Sequence, residues 1–224
     1  RMVALQARRM AEAGLGVLIP DLYGTGDSAG DFADARWAIW QDDLMRCVDW
    51  LRQRGHERLM LWGLRLGGLL AMERVGEVAA TRLVLWQPVL SGQRFLQQFL
   101  RLRLTADRLK GSSETMAQLH ERLASGQSLE VGGYALHPEL AAALEQVRPV
   151  TPPAQIRVDW FEIAGTMDGT LSPASQRVVE TWRKAEVAVH PWTVMGDAFW
   201  ATQEIAEAPA LLEATLTAVL NETP

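Results

Sequence analysis

The residues best placed to do chemistry lie in Leu59-Met60-Leu61-Trp62-Gly63-Leu64-Arg65-Leu66-Gly67-Gly68-Leu69-Leu70-Ala71, an apolar strand running into a glycine-flanked turn and then a helix. The frame Gly63-x-Arg65-x-Gly67 is that of a nucleophile elbow, with arginine where serine would stand. A strand that turns sharply into a helix crowds its own backbone, so glycines are expected on both sides of the central residue. That residue is thrust out above the sheet, beside the unpaired N–H groups that open the helix. Serine there would attack a carbonyl. Arginine offers only donors and stays protonated, so it is suited to holding an anion.

The elements that must position this turn are legible as periodicities. Val3, Ala7, Met10 and Ala11 share a helix face that ends near Gly14 and Gly16. Val17-Leu18-Ile19-Pro20 predicts a strand, followed by the turn-rich loop Asp21–Gly30. Trp37, Trp40, Leu44, Val48 and Leu51 step at three and four and predict a helix. Further strands are expected at Leu83–Trp86, Val158–Ile163 and Val187–Val189. Short apolar strands alternating with helices predict an α/β fold: a mostly parallel sheet with helices on both faces. Ligands of such sheets sit at the carboxyl ends of the strands, where every one of these loops departs.

Residues 91–150 break the alternation. They are helical and polar, carry Arg94, Arg101, Arg103, Arg108 and Arg122, and show no obvious strand. An insertion of this kind is expected to act as a cap, its arginines either meeting an anion or pairing with nearby acids on a solvated face. The expected organisation is a first core part at 1–90, a helical cap at 91–150 and a second core part at 151–224.

The 224 residues are 48% hydrophobic and 22% charged, a globular composition, and the net charge of −5 with no basic run argues against nucleic acid. No segment is long enough to span a membrane, and no secretory signal opens the chain. One cysteine, Cys47, excludes an internal disulfide and fits a reducing, cytoplasmic setting. Four histidines without metal spacing make a metal site improbable, and no cofactor is expected. Arg1 opens the chain inside a helical pattern without an initiator methionine, which predicts that sequence precedes it. Homo-oligomer formation is left open.

The chain resembles the α/β-hydrolase superfamily, and within it the group called hydrolase 2, exosortase A system-associated. The resemblance rests on Asp21-Leu22-Tyr23-Gly24-Thr25-Gly26-Asp27-Ser28, Gly63–Gly67, Val131-Gly132-Gly133-Tyr134, Gly165-Thr166-Met167-Asp168 and Gly196-Asp197-Ala198-Phe199-Trp200. It implies a link to exopolysaccharide and protein-sorting systems, and first strands upstream of residue 1. It also implies a triad in the order nucleophile, acid, histidine. The nucleophile position is Arg65 and the acid position is Asp168. The histidine is expected just past Gly196, where Phe199 and Trp200 stand instead. The backbone N–H of Leu66 would be an oxyanion-hole donor.

Two readings of Arg65 stand side by side. It could pair with the orphaned Asp168, or it could grip a carboxylate or phosphate by its fork. Ser28 reads as a turn residue and Gly24/Gly26 as a structural loop. His56, His120 and His137 read as surface or capping residues, with the last two as candidate replacement bases. The function expected first is a pseudoenzyme of hydrolase fold that binds an acyl or anionic small molecule through Arg65, Leu66, Phe199 and Trp200. The alternative is a hydrolase of esters or thioesters in which Asp168 directs water without a serine nucleophile.

Overall fold

The computed structural model describes residues 1–109, 114–164, 169–202 and 204–221. The chain divides into two compact units. One holds Arg1–Ile19, Arg58–Pro88 and Thr151–Pro224; the other holds Pro20–Glu57 and Val89–Val150.

The first unit carries the sheet. Its strands are β1 (Met60–Leu64), β2 (Arg82–Trp86), β5 (Arg157–Ala164) and β6 (Val189–Met195), while β3 (Leu129–Val131) and β4 (Tyr134–Leu136) form a hairpin in the second unit. The four sheet strands lie in the order β1-β2-β5-β6, every pair parallel, and Leu64, Trp86, Phe161 and Trp192 stand in one row across them. Leu83 to Trp86 are all fully buried, as expected of a parallel strand covered on both faces.

Because side chains alternate along a strand, each face has its own cover. Val84, Trp86 and Phe161 join Met2 and Met10 of α1 (Met2–Glu12) and Leu211, Leu212 and Ala218 of α8 (Pro209–Leu220) in one core cluster. Trp86 donates its indole N–H to Thr215 Oγ1 on α8 at 2.9 Å, so its buried polar atom is satisfied. On the other face, α3 (Leu66–Arg74) packs on β1 and β2, and Trp182 of α7 (Pro173–Lys184) meets Trp160 of β5 edge-on at 5.5 Å.

At the amino ends of the strands, Arg82 and Arg157 reach the last turn of α8. Arg82 donates to the carbonyls of Ala218 and Asn221, and Arg157 donates to that of Asn221. Fully buried Asp159 lies between them, 3.2 Å from Arg157 and 3.6 Å from Arg82. Cations at a helix C-terminus complement its dipole, and here they also tie the last helix to the sheet.

The second unit contains α2 (Trp37–Arg52), α4 (Gly92–Leu109), α5 (Met116–Ala124), α6 (Pro138–Gln146) and the β3–β4 hairpin. Trp40 donates its indole N–H to Tyr23 O at 3.0 Å, and Arg36 pairs with Glu139 at 2.9 Å. Two of the segment's arginines are explained by pairing: Arg103 and Arg122 both grip Glu114, at 3.0 and 2.7 Å.

Two expectations need correction. Val17–Pro20 forms no ladder with any described segment, and Leu18 and Ile19 are 37% and 51% exposed. Its apolar run suits a strand, but a strand exists only where a partner lies alongside to take its N–H and C=O groups. Conversely, the 91–150 segment does hold strands. Gly132 and Gly133 both have positive φ, 58° and 88°, as a two-residue type I′ hairpin turn requires. Among the described residues, no helix is long and apolar enough to cross a membrane.

Candidate functional site

The carboxyl end of β1 is the elbow that the sequence predicts. The Arg65 N–H donates to Trp86 O at 3.0 Å, extending the β1–β2 ladder by one bond. The chain then breaks direction at Arg65 itself, with φ 52° and ψ −115°, and α3 begins at Leu66. For a residue bearing a Cβ this is a strained conformation, of the kind that persists where the surroundings over-determine it.

The surroundings do so by close approach. A Cβ on Gly63 would fall 2.6 Å from both Gly67 O and Gly68 Cα. A Cβ on Gly68 would sit 3.2 Å from Pro88 Cβ. Gly67, by contrast, has open space around it and no positive φ. The expectation that both flanking glycines are sterically required therefore holds for Gly63 only, with Gly68 as the second tight position.

Arg65 is half-buried. Its Nη1 donates to Gln87 O at 3.2 Å, and its Cζ lies 5.3 Å from the Trp200 ring centroid, within cation–π range. Burial pulls the guanidinium pKa below its ordinary value, the sign of a charge that has lost part of its hydration. Among the described residues, no carboxylate pairs with it. Asp168 lies outside the described residues, so the predicted Arg65–Asp168 pairing carries no structural statement. The N–H groups of Leu66 and Gly67 open α3 beside Arg65 with no described acceptor.

Phe199 and Trp200 meet edge-on at 5.0 Å, Phe199 reaches Trp86 at 6.3 Å, and Trp86 meets Trp62 at 4.6 Å. The array leads from the buried sheet to the ring that faces Arg65. Phe199 also lines a cavity of about 240 Å³ with Met2, Ile205 and Ala206; Arg65 is not part of that lining.

Gln87 is the site residue that sequence reasoning missed. It follows β2 with φ 42°, donates its N–H to Phe161 O at 2.7 Å, and accepts from the Ile163 N–H through its side-chain oxygen at 2.8 Å. This ties the carboxyl ends of β2 and β5 together and turns the Gln87 carbonyl toward Arg65. Its place straight after an apolar strand was the only signal available.

Other titratable groups are placed as follows. His190 is exposed on β6, in register with Asp159 and two residues before the Leu64–Trp192 row. His120 pairs with Glu145 at 3.2 Å, and His137 Nδ1 caps α6 by accepting from Glu139 N. Glu162, buried near the end of β5, accepts from Ser172 N at 2.7 Å, from Ser175 Oγ and from Trp160 Nε1, which anchors the start of α7. Among the described residues, no cluster of His, Cys, Asp and Glu could hold a metal.

A parallel sheet flanked by helices, with a strained strand-to-helix elbow at the carboxyl end of a strand, defines an α/β hydrolase. Residues 1–174 match the family model described as serine aminopeptidase, S33, and the chain belongs to that family of α/β hydrolases. No curated protein matches the sequence. Among solved structures, a thermostable carboxyl esterase from Bacillus coagulans is similar over 97% of this chain and 84% of its own, with 13% identity and a TM-score of 0.62. The Arabidopsis methylesterase MES16 matches over 96% of this chain and 91% of its own, at 14% identity and a TM-score of 0.57. Mouse alpha/beta hydrolase domain-containing protein 10 matches over 99% and 84%, at 16% identity and a TM-score of 0.56. These likenesses show the fold alone.

Proposed function

We propose that this chain is a pseudo-hydrolase, which holds an acyl or anionic small molecule at Arg65 rather than cleaving it. The observation that carries the reading is the elbow: its strained geometry is kept while its apex bears a half-buried guanidinium facing Trp200. A guanidinium cannot serve as the nucleophile of acyl transfer. The aromatic pair at Phe199 and Trp200 stands where a histidine would activate one, and it favours an apolar group next to the charge. Leu66 supplies a backbone donor at the same point. The arginine elbow and Val131–Tyr134 support membership of the exosortase A-associated group, and with it service to an exopolysaccharide or protein-sorting system.

Esters are the first substrates to test, because a carboxyl esterase and a methylesterase are among the structural neighbours. Short-chain ester and thioester turnover should be measured for the parent, Arg65→Ser, Arg65→Ala and Asp168→Asn. The expected result is no turnover by the parent beyond the uncatalysed rate. Turnover that Asp168→Asn abolishes would sink the binding reading and establish water attack directed by that carboxylate.

A further inference from the structure

We propose that the outward side of α4 docks the second unit on an anionic lipid surface, through a binding face independent of the Arg65 site. Phe95, Phe99, Leu102 and Ala106 recur along α4 at intervals of four, three and four, which sets them in one stripe. That stripe is not turned into the protein. Leu96 and Leu100, on a separate side of the helix, are fully buried. Leu102 is 60% exposed, Ala106 is exposed, and Phe95 and Phe99 are half-buried. Apolar surface is therefore left in water along one line of the helix, not scattered singly.

The charges beside the stripe decide what it meets. From Gly92 to Ala106 the helix carries Arg94, Arg101 and Arg103 and no acidic residue. Arg103 is spent inside the unit, on Glu114 at 3.0 Å and on the Glu130 carbonyl at 2.9 Å. Arg94 and Arg101 are exposed, and among the described residues neither meets a carboxylate. They lie two helical turns apart and flank the stripe on the same side. A second copy of this chain is a poor occupant, because pairing α4 with itself would bring the same arginines together. A groove on a rigid partner takes deeply inserted anchors, whereas Phe95 and Phe99 are already half sunk in their own unit. A lipid interface asks for less. An amphipathic helix sinks only about 5–10 Å into it, with its arginines among the anionic head groups.

The test is co-sedimentation of the full chain with vesicles of phosphatidylcholine alone and of phosphatidylcholine and phosphatidylglycerol in equal parts. The face is small, so attachment should be weak and should need anionic lipid. The mixed vesicles should bind the chain, the neutral ones should not, and raised salt should release it. Arg94→Gln and Arg101→Gln should each lower the partition coefficient about fivefold, the share of one arginine at such a surface. Leu102→Gln should lower it about threefold or more. Arg46→Gln removes the same charge from an exposed position on α2 and should change it less than about twofold. All four side chains are exposed, so each variant should fold, which circular dichroism checks.

Equal binding to neutral and mixed vesicles, no binding to either, or a loss from Arg46→Gln as large as that from Arg101→Gln would each overturn the proposal. So would unchanged binding after Leu102→Gln, since the arginines would then act as a bare charged patch. No vesicle binding, with capture of poly-glutamate that Arg101→Gln weakens, would assign the face to an acidic polypeptide instead.

Discussion

Replacing Arg65 by glycine and by alanine separates the strain at the elbow from the contacts of the side chain. Both variants lose the same interactions: the Nη1 bond to Gln87 O and the approach to Trp200. They differ by one Cβ, at a backbone held at φ 52° and ψ −115°. A Cβ in such a region costs about 1–3 kcal/mol, and glycine escapes that cost. Glycine in turn loses about 0.5–1 kcal/mol more conformational entropy on folding than alanine. The balance favours Arg65→Gly over Arg65→Ala by about 1 kcal/mol, or ~2–4 °C in Tm for a chain of this size. Urea unfolding of the two variants side by side gives the difference directly. The control is Glu73 within α3, where the helix interior should reverse the sign and make Ala the better residue by about 1 kcal/mol. Arg65→Ala equal to or more stable than Arg65→Gly would refute the argument, because the elbow would then store no strain for the ring of contacts around it to hold.

The glycines of the turn should part company in the same assay. Gly63→Ala drives a Cβ to 2.6 Å from the backbone of Gly67 and Gly68 and should cost more than about 3 kcal/mol or abolish folding, whereas Gly67→Ala, in open space at a helix start, should be neutral or stabilising. Asp159→Asn leaves Arg82 and Arg157 without the buried acid between them and should cost about 3–5 kcal/mol, with hydrogen exchange accelerating first in α8, whose last carbonyls those arginines hold. For His190, desolvation first and then the charge of Arg157 lower the folded pKa below the ordinary 6.5, against the pull of Asp159. A lowered pKa means that the unfolded chain binds the proton first, so stability is full above pH 6.5 and declines as pH falls from there through the folded value. His190→Gln should flatten that part of a stability–pH curve, and an unchanged slope would remove His190 as its source.

The inner strands of the sheet were legible because β2 and β5 are short apolar runs buried on both faces, whereas the edge strand β6, expected at Val187–Val189, lies at Val189–Met195 and is largely exposed. Leu83–Trp86 is the clearest case. Val17–Pro20 carries the same signal and fails, since a ladder needs a neighbour and a neighbour is not a local property. The β3–β4 hairpin fails in the other direction. Its strands are three residues each, too short for alternation to register, although the Gly132-Gly133 turn between them was readable. Arg65, Phe199 and Trp200 draw notice in the sequence because their side chains depart from an expected pattern. Gln87 does not. Its part in the site is played by a carbonyl and a positive φ, and neither is written in the residue type.

That contrast explains how an elbow can be built with arginine at its apex. The turn is fixed by the approach of Gly63 to Gly67 and Gly68, by Gly68 against Pro88, and by the Arg65 N–H on Trp86 O. Every one of these contacts is made by backbone or by a neighbour, and none by the side chain at the apex. The apex residue is therefore free to change without loosening the turn, while whatever stands there is still aimed at the same point beside the first N–H groups of α3. Serine at that point would meet an acyl carbon. Arginine, longer and charged, reaches past it to Gln87 O and the face of Trp200. What such a turn fixes is a direction in space, and the chemistry follows from the group that is pointed along it.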